Sequence, residues 1–178
     1  MTGAHDARER ILDAATTLFY AEGFTATGVD RVASAAAVGK MSIYRHFAGK
    51  DDLLVEVLRR RAKPHLDWLL PMEPLGEQGL YGAFERIARV SSRPGYRGCP
   101  FVRAALELPS DHPALKPIAS YKRSLRGRVE RHGRARLCDG AHHRARAGAR
   151  VVRQAAGALV VDDPADPAGH AERLDTAL

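Results

Sequence analysis

Apolar residues recur at helical spacing along the first fifty residues, and the breaks between them predict three short helices. Residues 6–22 carry one broad apolar face and are followed by Gly23, a residue typical of helix C-caps. Between residues 27 and 50 the spacing breaks once, at residues 37–39. The apolar positions are Val29, Val32, Ala33 and Ala36 before the break and Ile43, Tyr44 and Phe47 after it. Because helices this short are unstable alone, the pattern predicts a packed helix-turn-helix.

The outward positions of the second helix in this pair are rich in hydrogen-bond donors. They are Lys40, Met41, Ser42, Arg45 and His46. Side chains of this kind suit base edges in the major groove of DNA. Lys50 opens the next helix, where its charge opposes the helix dipole and indicates a bound anion such as a DNA phosphate. The alternative is that Lys50 neutralises Asp51 or Asp52.

Helical spacing resumes beyond a passage rich in proline and glycine at residues 64–79. Residues 79–90 predict an amphipathic helix whose inward positions are Leu80, Phe84, Ile87 and Ala88. A further helix is predicted to begin at Pro100, which suits a first helical turn. Residues 122–150 hold three large aliphatic residues, namely Leu125, Val129 and Leu137, so this part is atypical of a helical core.

Charge is distributed unevenly along the 178 residues, whose formal net charge is +7. Residues 1–61 contain nine Lys or Arg against eight Asp or Glu, so the helix-turn-helix region is nearly neutral. Residues 122–153 contain eleven basic residues against two acidic ones. The basic excess lies outside the helix-turn-helix, and the net charge alone therefore does not indicate where DNA would bind.

Several classes of protein lack support in the sequence. No stretch approaches the ~18 apolar residues of a membrane span, and the N-terminus has no signal-peptide core, so we expect a cytoplasmic protein. Cys99 and Cys138 match no metal spacing and are expected to be free thiols, and the adjacent His142 and His143 do not favour a metal site. Without a catalytic triad order or a glycine-rich phosphate loop, we predict no catalytic residue, no cofactor and no enzyme.

The run from Ile11 to Leu54 resembles the DNA-binding head of the TetR family of bacterial transcriptional regulators. Its most specific part is VGKMSIYRHFAGKDDLL, and the later segment GCPFVRAALE resembles the start of a body helix in one group of these regulators. The resemblance implies an all-α fold, with a three-helix helix-turn-helix DNA-binding head at residues 1–61. A helical ligand-binding and dimerisation body would follow at residues 62–178, with residues 122–178 atypical.

The resemblance also implies site residues. Those expected to meet DNA are Thr27, Lys40, Met41, Ser42, Tyr44, Arg45, His46 and Lys50, of which Tyr44, His46 and Lys50 resemble the family's phosphate contacts. A ligand pocket in the body would draw on Trp68, Leu69, Phe84, Phe101 and Leu108, and the alternative is that these residues form ordinary core. No metal ligand is implied.

Local backbone features separate this chain from the usual family pattern. Ala37 stands where the family usually has glycine, at a position that calls for a left-handed backbone, which costs alanine about 1 kcal/mol. Gly39 stands where serine or threonine is usual and is a moderate N-cap. Thr27, three residues before Asp30, predicts a hydroxyl N-cap with a reciprocal carboxylate for the first helix of the pair.

These patterns favour a dimeric regulator that binds a palindromic double-stranded DNA operator, with repression relieved by a small-molecule effector. A first alternative is a truncated or frame-altered regulator with an intact head, since the tail after residue 121 predicts weak dimerisation and easy proteolysis. A second alternative is a thiol sensor at Cys99, which precedes a predicted helix N-terminus, although a structural cysteine is the commoner role.

Overall fold

The computed structural model describes residues 3–73 and 76–134, and within them it confirms an all-α fold. This part of the chain contains seven helices and no strand. Their bounds are α1 Gly3–Ala21, α2 Val29–Ala35, α3 Lys40–His46, α4 Lys50–Leu69, α5 Gly76–Ser91, α6 Pro100–Glu107 and α7 Leu115–Arg134. None of these described helices combines the length and apolar composition needed to cross a bilayer.

Helices α1 to α3 and the start of α4 pack into a small head around a closed apolar core. Ile11 and Ile43 are fully buried, and Phe47 and Leu53 close the core from the side of α4. Gly23 takes a positive φ of 97° after α1, which lets the chain turn so that Phe24 packs edge-on against Phe19 with ring centroids 5.3 Å apart. The spacing of apolar residues therefore predicted the three helices of this head correctly, but it was wrong for Tyr44, which is 46% exposed.

The turn between α2 and α3 has the backbone that its sequence predicts. Ala37 adopts φ of 51°, in the left-handed region, and Gly39 is the N-cap of α3 without a side-chain hydrogen bond. The predicted cap of α2 is wrong. Gly28 is the N-cap there, while Thr27 is fully buried and its hydroxyl donates to the carbonyl of Gly23 at 2.6 Å. A buried hydroxyl must find a partner, and here that partner is a carbonyl of the preceding turn.

Helix α4 extends from the head into the body. There α4, α5 and α6 all pack against α7. Because α4 runs from Lys50 to Leu69 without interruption, the helix continues through the predicted domain boundary at residues 61 and 62. The ring of Phe101 in α6 is fully buried and stacks on Tyr121 of α7 with centroids 3.7 Å apart. The Tyr121 hydroxyl lies 2.7 Å from Nδ1 of His65 in α4, so one aromatic cluster joins three helices.

Helix α7 corrects our prediction that the atypical tail starts at residue 122. It continues to Arg134, and its inward face is completed by Leu125, Arg128, Val129 and His132, all buried. The Arg128 guanidinium donates to the carbonyl of Leu70 and lies 2.7 Å from a carboxylate oxygen of Asp67, so its charge is paired inside the body. The small number of large aliphatic residues gave no sign that an arginine would complete the inward face. The predictions for Leu137, Cys138, His142 and His143 lie outside the described residues.

The predicted inward face of α5 is also wrong in part. Gly79 and Ala83 form the buried face and Leu80 packs against the core, whereas Phe84 is 53% exposed, Ile87 is 40% exposed and Ala88 is exposed as well. Small residues allow the backbone of α5 to approach its neighbours closely, and this turns the larger side chains toward the surface. Arg86 strengthens the same contact by donating to the carbonyl of Leu69 at 3.2 Å.

Candidate nucleic-acid interface

Helix α3 presents its polar side chains because two apolar residues fix its rotation. Ile43 is fully buried, and Phe47, which follows the last turn, is 2% exposed. With these positions facing the core, Lys40, Tyr44 and Arg45 lie on the exposed side of the helix. A helix with one face in the core and the other in solvent can dock as a unit, so α3 has the form of a recognition helix.

Two large apolar side chains stand out on the exposed face of α3. Met41 is 68% exposed and Tyr44 is 46% exposed, although no other large apolar side chain described in the head is exposed. A thioether or a ring at this position can contact a thymine methyl group or pack along the sugar-phosphate backbone. The exposed face of α3 therefore offers both apolar contacts and donors.

Lys40 is held by an acidic partner from the neighbouring helix. Its Nζ lies 2.9 Å from a carboxylate oxygen of Asp30 in α2. The hydrogen bond to Asp30 raises the pKa of Lys40 above its ordinary value, and the negative charge of Asp30 acts in the same direction. The ammonium is therefore charged and held against Asp30 of α2. The sequence predicts Asp30 as a capping residue and gives no sign of its pairing with Lys40.

Lys50 begins α4 but leans back over the turn that follows α1. Its Nζ lies 4.3 Å from the centroid of the Phe24 ring and donates to the carbonyl of Thr25 at 3.3 Å. Burial lowers the pKa of Lys50, partly offset by the nearby charges of Asp51 and Glu107. Asp51 faces His112 and Asp52 accepts from the amide of Ala48 at 3.0 Å, so both have other partners. This geometry does not favour the alternative in which Lys50 serves only to neutralise them.

The structure brings most of the predicted DNA-facing residues together and excludes one. Lys40, Met41, Tyr44 and Arg45 are exposed on α3, and Ser42 and His46 are half-buried on the same helix. Lys50 follows one short turn later. Thr27 does not belong to this surface, because it is 0% exposed and its hydroxyl is bonded inside the head.

The five residues predicted for a ligand pocket do not share one environment. Phe101 and Leu69 are buried and Leu108 is half-buried, but Trp68 is 44% exposed and Phe84 is 53% exposed. A small cleft does open between α1, α4 and α6, lined by side chains that include Tyr20, Arg61 and Arg103. None of the five predicted residues lines it. For Phe101 and Leu69 the geometry matches the alternative of ordinary core.

Cys99 and possible metal ligands add no second site to the described residues. Cys99 is the N-cap residue of α6 but makes no side-chain capping hydrogen bond, and it is partly exposed. Burial raises the pKa of the Tyr121 phenol, and the nearby Cys99 thiol acts in the same direction. Within residues 3–73 and 76–134, no three histidine, cysteine or acidic side chains meet as a metal site would require.

Comparison with known proteins identifies the head. Residues 11–57 match the sequence model described as bacterial regulatory proteins of the tetR family. The regulator SrpR of Pseudomonas putida is 39% identical over 61 residues, which are 34% of this chain and 29% of SrpR. The repressor DrrR1 of Streptomyces coeruleorubidus is 33% identical over 111 residues, 62% of this chain and 38% of DrrR1. The chain thus spans less than half the length of these two curated relatives.

Solved structures extend the likeness to the body. A protein of Streptomyces avermitilis described as a TetR-type transcriptional regulator aligns with a TM-score of 0.66 and 29% identity, over 85% of this chain and 83% of that one. Reduced NemR of E. coli aligns with a TM-score of 0.68 over 87% of this chain and 86% of its own, but at 21% identity it supports the fold alone. Residues 11–57 match the tetR family model, and the helical body is similar in fold to that of a TetR-type regulator, so sequence and fold both support the TetR family of bacterial transcriptional regulators.

Proposed function

We propose that the protein is a DNA-binding repressor whose α3 enters the major groove of its operator. The observation that supports this most directly is the exposed face of α3, where Met41 and Tyr44 stand beside Lys40 and Arg45 on a head that is otherwise closed. Among similar proteins, DrrR1 and KstR2 of Mycolicibacterium smegmatis are named repressors, which supports the sign of regulation.

Contacts to bases and contacts to phosphates have different roles in this proposal. Lys40, Met41 and Ser42 lie on the first turn of α3, the part of a recognition helix that reaches base edges. Tyr44, His46 and Lys50 would contact phosphates and so fix the register of the head on the duplex. Of these, Lys50 is already placed at a helix N-terminus, where a phosphate oxygen also meets free amide groups.

Selection of bound fragments from random or genomic DNA tests the proposal directly. We expect enrichment of a palindrome, and Ser42→Ala should change the preferred bases by about 1 to 3 kcal/mol per lost base contact. Lys50→Ala should instead weaken binding to all sequences and make the salt slope shallower by about one unit. Lys63→Ala is the matched control, because Lys63 lies on the same helix but is highly exposed and paired with Asp67. If no fragment is enriched over bulk DNA, the proposed function is wrong.

A dimer and an effector complete the proposal. A two-fold operator requires two heads about 34 to 36 Å apart, or a multiple of that distance, which the body must set. From the excess of basic over acidic residues in residues 122–153, which would repel across a two-fold axis, we expect weak dimerisation at micromolar concentration. A sharp dimer peak in sedimentation at low micromolar protein would contradict this. Release of DNA by a small molecule from a screen would identify the effector.

A further inference from the structure

The body reaches the head through the C-terminal end of α6. Glu107, the last residue of α6, accepts a hydrogen bond from the backbone amide of Thr25 at 3.0 Å. Gly23 allows this approach, since a Cβ at that position would lie 3.0 Å from a carboxylate oxygen of Glu107. Gly23 is therefore required twice, for its positive φ and for the space it leaves to the body. The turn formed by residues 23–25 is held by a residue 82 positions later in the chain.

The same turn holds Lys50. The carbonyl of Thr25 accepts from Nζ of Lys50 at 3.3 Å. The backbone of Thr25 is thus hydrogen-bonded to Glu107 through its amide and to Lys50 through its carbonyl. The ring of Phe24 lies beneath the ammonium at 4.3 Å. Glu107 is also near enough for its charge to act on Lys50. The position of the Lys50 ammonium thus depends on where Glu107 fixes the turn.

A second contact from the body supports the same place. His112, in the loop between α6 and α7, is buried, and its ring packs edge-on against Phe24 with centroids 5.6 Å apart. Its Nδ1 accepts from the amide of Ala114 at 3.1 Å, while Nε2 lies 3.4 Å from a carboxylate oxygen of Asp51. Phe24 therefore contacts both Lys50 and His112. His112 also contacts Asp51 at the start of α4.

We propose that Glu107 is a positioning residue of the DNA interface, which acts by fixing the turn at residues 23–25 and, through it, the ammonium of Lys50. This rests on the proposed DNA-binding function. Glu107 belongs to the body and is remote in sequence from the helix-turn-helix. It would nevertheless contribute to the affinity for DNA phosphates. Because Glu107 acts through Lys50, its removal should have no effect where Lys50 is already absent.

A double-mutant cycle on the full-length protein tests this, with operator affinity measured by fluorescence anisotropy on the selected fragment. Glu107→Ala should weaken binding on the order of fivefold, the factor expected for one lost hydrogen bond at an interface. In the Lys50→Ala background the same substitution should change affinity less than twofold. Glu107→Gln, which keeps an oxygen able to accept from the Thr25 amide, should recover most of the wild-type affinity.

The controls separate the possible results. Glu85→Ala removes an exposed carboxylate on α5 and should leave affinity unchanged, which excludes a general effect of net charge. Equal losses for Glu107→Ala with and without Lys50 would overturn the positioning role and leave Glu107 as a purely structural residue. Unchanged affinity in Glu107→Ala would overturn it as well. If the wild-type protein itself selects no DNA, the proposed function is wrong. If it binds DNA specifically but Glu107 and Lys50 are not coupled, only the positioning role is wrong.

Discussion

The head and the body treat large apolar side chains differently. In the described part of the chain, eight such residues are exposed, and two of them, Met41 and Tyr44, belong to the head, both on α3. The other six belong to the body: Trp68, Met72, Tyr81, Phe84, Ile87 and Leu106. In the head, the exposed large apolar residues lie on the helix that is proposed to bind DNA. In the body such exposure is widespread, so exposure alone does not locate a site there.

Charged residues show the opposite contrast. The head pairs its cations at the surface: Arg60 lies 2.6 Å from Asp13, and Lys40 lies 2.9 Å from Asp30. Among the residues that the structure describes, the body instead buries the cation of Arg128 within its core. The arginines late in the sequence suggested a solvated tail. One of them, Arg128, is instead a core residue. Burial and pairing, more than net charge, distinguish a binding surface from a structural element.

The largest expected effect separates a buried from an exposed ring in the body. Phe101→Ala removes a fully buried side chain stacked on Tyr121 and should lower the free energy of unfolding by about 3 to 5 kcal/mol. Phe84→Ala, on the exposed face of α5, should change it by less than about 0.5 kcal/mol. Urea denaturation followed by circular dichroism measures both. A loss above about 2 kcal/mol for Phe84→Ala would show that this face is covered in the complete chain.

The next effect concerns the buried arginine of α7. Arg128→Ala should destabilise the protein by about 1.5 to 3 kcal/mol, because the carbonyl of Leu70 loses a charged donor inside the body, while Asp67 keeps Lys63 as its partner. Arg126→Ala, on the exposed side of the same helix, should be nearly neutral and is the matched control. Thermal unfolding of the two variants at equal ionic strength gives the comparison. Equal stabilities would mean that the Arg128 pairing contributes nothing net, and that the body's basic residues are interchangeable.

A pH effect follows from His65 in the aromatic cluster. Burial, helped by the charge of Arg61, lowers the pKa of His65 from 6.5 to about 4. Between these values the unfolded chain binds a proton that the native protein does not, so stability falls as pH is lowered from 7 to 5, by about 2 kcal/mol from this residue. In His65→Gln the unfolding free energy should depend less steeply on pH. Identical slopes for the two proteins would remove His65 as the cause.

The head could be predicted from the sequence because its signals are local. The spacing of Ile43 and Phe47, the glycine after α1 and the left-handed Ala37 each depend on a few neighbouring residues. Those same spacings gave most of the exposed face of α3, but they counted Tyr44 among the apolar positions, whereas Tyr44 is 46% exposed. Thr27 was misplaced because a buried hydroxyl can bond backward to Gly23 as well as forward to α2, and local sequence does not choose between them.

The body depends on contacts that local sequence does not contain. The inner face of α5 was mispredicted because hydrophobicity favours Phe84, whereas packing selects Gly79 and Ala83 for close approach. The extent of α7 was missed because Arg128 is neutralised by Asp67, which lies 61 positions earlier in the chain. The contact between Glu107 and Thr25 spans 82 positions and had no sequence signal at all.

The smallest expected effect returns to the contrast between exposed apolar residues in the two regions. Met41→Ala and Leu106→Ala remove side chains that are 68% and 78% exposed, so each should change the free energy of unfolding by less than about 0.5 kcal/mol. Their effects on operator affinity should differ. Met41→Ala should weaken binding by about 1 kcal/mol through a lost apolar base contact, whereas Leu106→Ala should leave it unchanged. Anisotropy titrations with one operator fragment measure the difference, and equal affinities for the two variants would show that exposure of Met41 has no more bearing on DNA binding than exposure in the body.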